Sequence, residues 1–190
     1  MTRPSDPSRW HIGLIGYGEV GRILAEDLRA RGVAVSAYDL KLARPDTAAA
    51  LQAHAAGHGV LLAASHADLA SRADLIVSAV TASQTVAVAE ACASSLRSGS
   101  YFLDFNSASP GAKIRAAKLV NAVGARYVEG AVMTSVPPYR IKVPLLLGGP
   151  DAAALEPVLN GLGFSAKVAS DKLGVASATQ MCRSGRIKGL

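Results

Sequence analysis

The chain has 190 residues, 50% hydrophobic and only 5% aromatic, with 20 Lys and Arg against 14 Asp and Glu for a net charge of +6. The apolar content excludes a disordered chain, and the length suits one ordinary domain with a short extension and a sizeable core. Cys92 and Cys182 stand far apart without CxxC spacing and with few histidines to join them, so neither a disulfide framework nor a zinc site is indicated and no metal is expected.

A reducing compartment is therefore the default. Met1 to Arg9 lacks the apolar run of a signal peptide. The apolar, uncharged stretch Leu75 to Ala89 is shorter than the roughly 18–20 residues of a spanning helix. A soluble, cytoplasmic protein with no membrane partner is the expectation. The charge is uneven: Met1 to Pro110 carries 9 basic and 10 acidic residues, Gly111 to Leu190 carries 11 basic and 4 acidic. Such a split suits either solvated helix faces or an anionic-substrate site. Basic residues are not interleaved with aromatics in a tight cluster, so nucleic acid is not expected as a partner.

Apolar runs alternate with helical patterns along the chain. His11 to Ile15 reads as a strand, Glu19 to Arg31 as a helix stopped by Gly32, and Val33 to Tyr38 as a second strand. Asp46 to Gly57 is helical, Val60 to Ala63 a short strand, and His66 to Arg72 a helix capped by Ser65. Leu75 to Val80 is a strand, Ser83 to Leu96 a helix, Tyr101 to Phe105 a strand, and Pro110 to Val123 a helix that begins on proline. Strands follow at Tyr127 to Met133 and Lys142 to Leu147, then a helix at Asp151 to Leu162, a strand at Ala166 to Ala169 and a last helix from Val175. Pro137, Pro138 and Pro144 are expected to leave their connection non-helical. Repeated strand and helix predicts parallel βαβ units, hence an α/β, Rossmann-type doubly wound, mostly parallel sheet. Short uninterrupted apolar runs predict strands covered on both faces.

The first strand ends in Gly16-Tyr17-Gly18-Glu19-Val20-Gly21, a G-x-G-x-x-G. Gly16 permits the turn, Gly18 the approach of a pyrophosphate, and Gly21 the packing of helix on strand, while the helix N-terminus offers free N–H groups to phosphates. Asp39, 18 residues after Gly21, ends the second strand and can accept from ribose hydroxyls. A carboxylate there repels a 2′-phosphate and favours NAD over NADP, although Lys41 and Arg44 lie close enough to receive one. A class I methyltransferase is a weaker reading, because an acidic residue does not precede the glycine loop.

Taken with Leu75 to Thr81, Asp104 to Pro110, Tyr127 to Met133, Leu145 to Gly149 and Ala178 to Ser184, the sequence resembles the β-hydroxyacid dehydrogenase family, which includes 3-hydroxyisobutyrate and 6-phosphogluconate dehydrogenases. The resemblance runs from Trp10 to Leu190. It implies a cofactor contact at Val80 and Thr81, places Asn106 and Ser107 beside nicotinamide and substrate, and gives the substrate loop as Met133, Thr134 and Ser135. As a purely local reading, Asn106 and Ser107 would be a turn and cap ahead of Pro110. The family's catalytic Lys, and the Asn four residues later, correspond to Gln180 and Ser184, and glutamine cannot take up a proton.

The resemblance further implies a tail at 1–9, a cofactor domain at 10–170 and the start of an interdomain helix at 171–190, beyond which the family continues into a helical domain that closes the cleft and builds the dimer. Apolar Val175, Met181, Ile187 and Leu190 on that last helix favour a homo-oligomer or a covering helical domain. The expected function is hydride transfer between NAD or NADP and a small anionic hydroxy acid. The alternative is a non-catalytic nucleotide-binding or regulatory module.

Overall fold

The computed structural model describes residues 2–188. Its strands are β1 (His11–Ile15), β2 (Ala34–Tyr38), β3 (Leu61–Leu62), β4 (Leu75–Ser78), β5 (Tyr101–Asp104), β6 (Arg126–Val132), β7 (Pro144–Gly148) and β8 (Ser165–Ser170). The helices are α1 (Glu19–Ala30), α2 (Pro45–His58), α3 (His66–Arg72), α4 (Thr85–Ala93), α5 (Pro110–Ala122), α6 (Val136–Tyr139), α7 (Ala152–Gly161) and α8 (Val175–Lys188). Strand order is β3-β2-β1-β4-β5-β6-β7-β8, so the chain reverses direction across the sheet between β1 and β4, the place where doubly wound sheets open a crevice.

The apolar runs of the central strands follow from burial on two faces. In β4, Leu75 and Val77 enter one core with Leu24 and Leu28 of α1, Leu51 of α2 and Leu155 of α7. Ile76 enters the other with Leu69 of α3, Val88 of α4 and Ala116 of α5. Edge strands depart from the two-sided expectation. Leu61 of β3 is exposed, and β8 alternates exposed with half-buried residues, because no described element covers the outer face at the sheet margin.

The sheet is mostly parallel, as expected, with one exception, and one further expectation is corrected. The β6–β7 pair is antiparallel, whereas the other neighbours are parallel. The link between them is too short for a packed crossover helix, so the chain turns back instead. Within that link Pro137 and Pro138 do not abolish helix. They sit in the first turn of α6, where a missing N–H breaks no bond. The N-terminal segment is tied down: Trp10 Nε1 donates to the Pro4 carbonyl at 2.7 Å, and the Arg3 guanidinium lies over the Trp10 and Tyr101 rings at 4.5 and 5.0 Å.

Beneath β5 and β6 lies a polar cluster with no counterpart in the sequence expectations. Lys113 of α5 is 0% exposed, and its Nζ donates to the Gly130 carbonyl at 2.6 Å and the Asp104 carbonyl at 3.4 Å, with the Asp104 carboxylate at 3.8 Å. Tyr127 Oη donates to the same carboxylate at 2.6 Å. Burial pushes Asp104 up and Lys113 down from their ordinary values, and their mutual attraction opposes both shifts. Removing one partner of such a pair leaves the other charge buried alone. Lys113→Ala should therefore lose about 3–5 kcal/mol of stability, measured by urea unfolding, whereas Lys118→Ala on the exposed face of the same helix should leave the midpoint almost unmoved.

Candidate functional site

The loops at the carboxyl ends of β1, β4, β5 and β6 converge on one side of the sheet. At β1 the chain turns at Gly16, with φ +91°, and enters α1. A Cβ on Gly16 would stand 2.1 Å from the Ala79 carbonyl oxygen, and one on Gly21 would stand 2.0 Å from the Gly16 carbonyl oxygen. Both positions are closed to any side chain by backbone. At Gly18 nothing lies within 4 Å of the added atom, which marks open space directly before the first turn of α1. A pyrophosphate fits that cradle, with the positive end of the helix facing it.

Asp39 closes the adjoining corner. Its Oδ2 accepts from the Tyr17 backbone N–H at 2.7 Å and its Oδ1 from the Lys41 N–H at 2.8 Å. The carboxylate is thereby fixed, and each oxygen keeps lone-pair capacity for a ribose hydroxyl. The cleft here encloses about 430 Å³ and is lined by Gly16, Gly18, Glu19, Val20, Asp39, Val80 and Thr81 among others. Sequence reasoning missed His66, whose ring meets Tyr38 edge-on at 4.7 Å in the same wall and whose pKa burial lowers against the pull of Asp39. A lone histidine at a helix start carries no sequence signal of such a place.

Tyr17 and Gly21 do not line this cleft. The Tyr17 side chain is fully buried on the far side of the turn, with its phenol pushed up to about 12 by burial. Its neighbour in the motif, Gly21, serves the packing of α1 against the turn.

Val20, Val80 and Thr81 continue into a second cleft of about 670 Å³, where Asn106, Ser107, Met133, Thr134, Gln180 and Ser184 meet. Ser135 lies in the same loop but outside that lining. Asn106 is nearly buried and braces two loops: its Oδ1 accepts from the Val80 N–H at 2.7 Å, its Nδ2 donates to Ser78 Oγ at 3.3 Å, and its own N–H donates to the Asp104 carboxylate at 2.9 Å. The cap ahead of Pro110 is Ser109, not Ser107, since Ser109 Oγ accepts from the Ala112 N–H. Ser107 is left exposed, 3.4 Å from Gln180 Nε2.

Gln180 is brought there by an unusual cap. Glu129 of β6, 0% exposed, accepts from the Gly174 and Ser177 N–H groups, both at 2.6 Å, and so satisfies the first turn of α8 from a neighbouring strand. Gln180 Nε2 then donates to the Val132 carbonyl at 2.6 Å. Among the described residues, those that line this cleft carry no charged or titratable side chain.

Gly18→Ala should keep stability within about 1 kcal/mol of wild type while weakening dinucleotide binding roughly tenfold or more through lost approach to the pyrophosphate. Gly21→Ala should instead cost about 3 kcal/mol or more, because backbone must move. Thermal melts and a fluorescence titration with NADH separate the two effects.

The sequence matches the family described as the NAD binding domain of 6-phosphogluconate dehydrogenase over residues 11–169. No curated protein matches it. Among solved structures, a conserved hypothetical protein from Sinorhizobium meliloti 1021 is 37% identical with a TM-score of 0.90, covering 99% of this chain and 64% of its own. A conserved protein of unknown function, described as structurally similar to 3-hydroxyacid dehydrogenases, is 29% identical with a TM-score of 0.79, covering 94% and 65%. An imine reductase variant from Myxococcus stipitatus in complex with NAD+ is 25% identical with a TM-score of 0.76, covering 95% and 62%. The chain thus spans less than two thirds of each of these structures. Among the described residues no helix is long and apolar enough to cross a membrane. With its glycine cradle, its Rossmann-type sheet and a match over most of its length, the chain belongs to the family of 6-phosphogluconate dehydrogenase NAD-binding domains.

Proposed function

We propose that this chain is the cofactor-binding part of an NAD(P)-dependent oxidoreductase of the β-hydroxyacid dehydrogenase type, with NAD the better ligand. The observation that carries the reading is the open cradle at Gly18, aligned with the fixed Asp39 carboxylate and continuous through Val20, Val80 and Thr81 with the Gln180 cleft. The bound dinucleotide would supply or accept a hydride at its nicotinamide ring.

The residues of the chain do the positioning. Asp39 orients the adenosine ribose and repels a 2′-phosphate, α1 faces the pyrophosphate, and Asn106 holds the Val80 loop at a fixed height beside the cleft. Ser107 Oγ, Ser184 and the Gln180 amide supply neutral hydrogen-bonding groups to a substrate. A hydroxyl losing a hydride must also lose a proton, and none of the described lining residues can hold it. For a hydroxy acid, the base and the charge that recognises the carboxylate would come from a covering segment over exposed Val175 and Met181, either a second copy or a helical domain. A second copy as cover would make the protein an oligomer, and the free thiols of Cys92 and Cys182 suit a reducing cytoplasm.

The neutral lining of described residues favours a second reading, reduction of a protonated C=N bond, whose nitrogen already carries its proton, so that hydride addition to carbon gives the amine with no base needed at position 180. The imine reductase among the similar structures supports it. A substrate panel decides between the two. NADH formation with hydroxy acids, rising at least about tenfold in Gln180→Lys, supports the dehydrogenase; consumption of NADH with cyclic imines and no response to hydroxy acids supports the reductase. Titrations should saturate with both dinucleotides and more tightly with NAD, and failure to saturate with either removes both readings.

A further inference from the structure

On the opposite side of the glycine turn from the cleft, α1 and α2 bring together Glu26, His54 and His58. His54 and His58 are four residues apart on α2, so their rings share one face, with centroids 4.4 Å apart and planes tilted by 31°. Both direct Nε2 at one oxygen: Glu26 Oε1 lies 2.8 Å from His54 Nε2 and 4.0 Å from His58 Nε2. The three atoms all fall within 4.8 Å of one another. Around a tetrahedral zinc ion, with bonds of about 2.0–2.1 Å, ligand atoms stand roughly 3.3 Å apart. The observed separations bracket that value, and small side-chain rotations reach it.

The remaining atoms of two of these side chains are already held. Arg140 Nη2 donates to Glu26 Oε2 at 2.6 Å, while its Nε donates to Asp27 Oδ1 at 3.0 Å. Arg140 takes this position with φ +56°, a left-handed conformation unusual outside glycine. On the other side, Tyr17 Oη and His54 Nδ1 form a hydrogen bond of 2.5 Å, and the rings meet edge-on. Partners of this kind fix the orientation of ligating imidazoles and carboxylates. What they leave converging is a carboxylate oxygen and two imidazole nitrogens, a donor set suited to zinc with a fourth position open.

We propose that Glu26, His54 and His58 form a zinc-binding site that cross-links α1 to α2 behind the glycine loop. Binding moves the His54 proton from Nε2 to Nδ1, where Tyr17 Oη changes from donor to acceptor, and no proton is lost from a neutral ring. The expectation of no metal came from the cysteines, and it passed over the His-x-x-x-His spacing because a third ligand from α1 becomes visible only in the fold. Nothing in this site depends on the cofactor reading.

Chelator-treated protein titrated with zinc chloride alone tests the proposal by calorimetry, with melting temperature as the second readout. Wild type should bind one equivalent per chain and melt at a higher temperature when loaded. His58 is exposed, so His58→Ala should fold and melt like the metal-free wild type, bind zinc at least about tenfold more weakly and lose the shift on loading. His54→Gln should behave likewise. Cys182→Ser, which removes the exposed thiol on α8, should bind as wild type does. Absence of saturable binding to wild type overturns the proposal. So does undiminished binding by both histidine variants, or loss of binding in Cys182→Ser alone.

Discussion

A lysine ammonium removed from water beneath the sheet is the constraint on which the arrangement of the second half depends. Lys113 of α5 is acceptable there only because the end of β5 supplies the Asp104 carbonyl and carboxylate and the middle of β6 the Gly130 carbonyl. Those acceptors must stay where they are, and the loop after β5 begins one residue later. Asn106 is therefore set in place by the Asp104 carboxylate, and through its own side chain it sets the height of Val80 in the next loop. From a buried ion pair to the wall of the cleft there are two hydrogen bonds.

Glu129 extends the same logic to the last helix. A carboxylate in the interior of a sheet is costly unless its oxygens are satisfied, and here they are satisfied by the free N–H groups that begin α8. Gly148, on the neighbouring strand, leaves room for it: a Cβ there would come within 2.8 Å of the Glu129 carboxylate. The position of Gln180 in the cleft is thus decided by a residue on β6, and the donor to Val132 returns the helix to that strand. The two ends of the cleft are rigid for different reasons, backbone crowding at Gly16 and Gly21 and buried hydrogen bonds at Asn106 and Glu129.

Much of the fold was legible because its signals are local. A strand that is apolar on both faces, a Ser65 cap whose Oγ accepts from Asp68 N–H, and a glycine turn with its following helix each depend on neighbours in the chain. The errors fall where long-range geometry overrides local preference. Prolines that break a helix interior start one at α6, and the connection they punctuate reverses β7 because it is too short to cross over. Of the residues read as cofactor contacts, Tyr17 has the right spacing, yet its ring turns to the core side and meets His54. Nothing in a G-x-G-x-x-G motif says which way the intervening side chain points.

The sequence by itself determined the alternation of strand and helix, the glycine spacing that admits a phosphate, an acid at the end of β2, and a glutamine at position 180 that cannot take up a proton. These depend on the intrinsic conformational range of glycine and proline, on hydrophobic period, and on the fixed chemistry of each side chain. Only the tertiary structure decided the surroundings of those groups. It made Lys113 a buried strut, turned Glu129 into a helix cap, gathered neutral side chains around Gln180, and placed Glu26 beside two histidines of another helix. The physical reason is that burial and pairing depend on which distant segments share a face, and the free energy of a charge changes with its surroundings far more than with its neighbours in sequence.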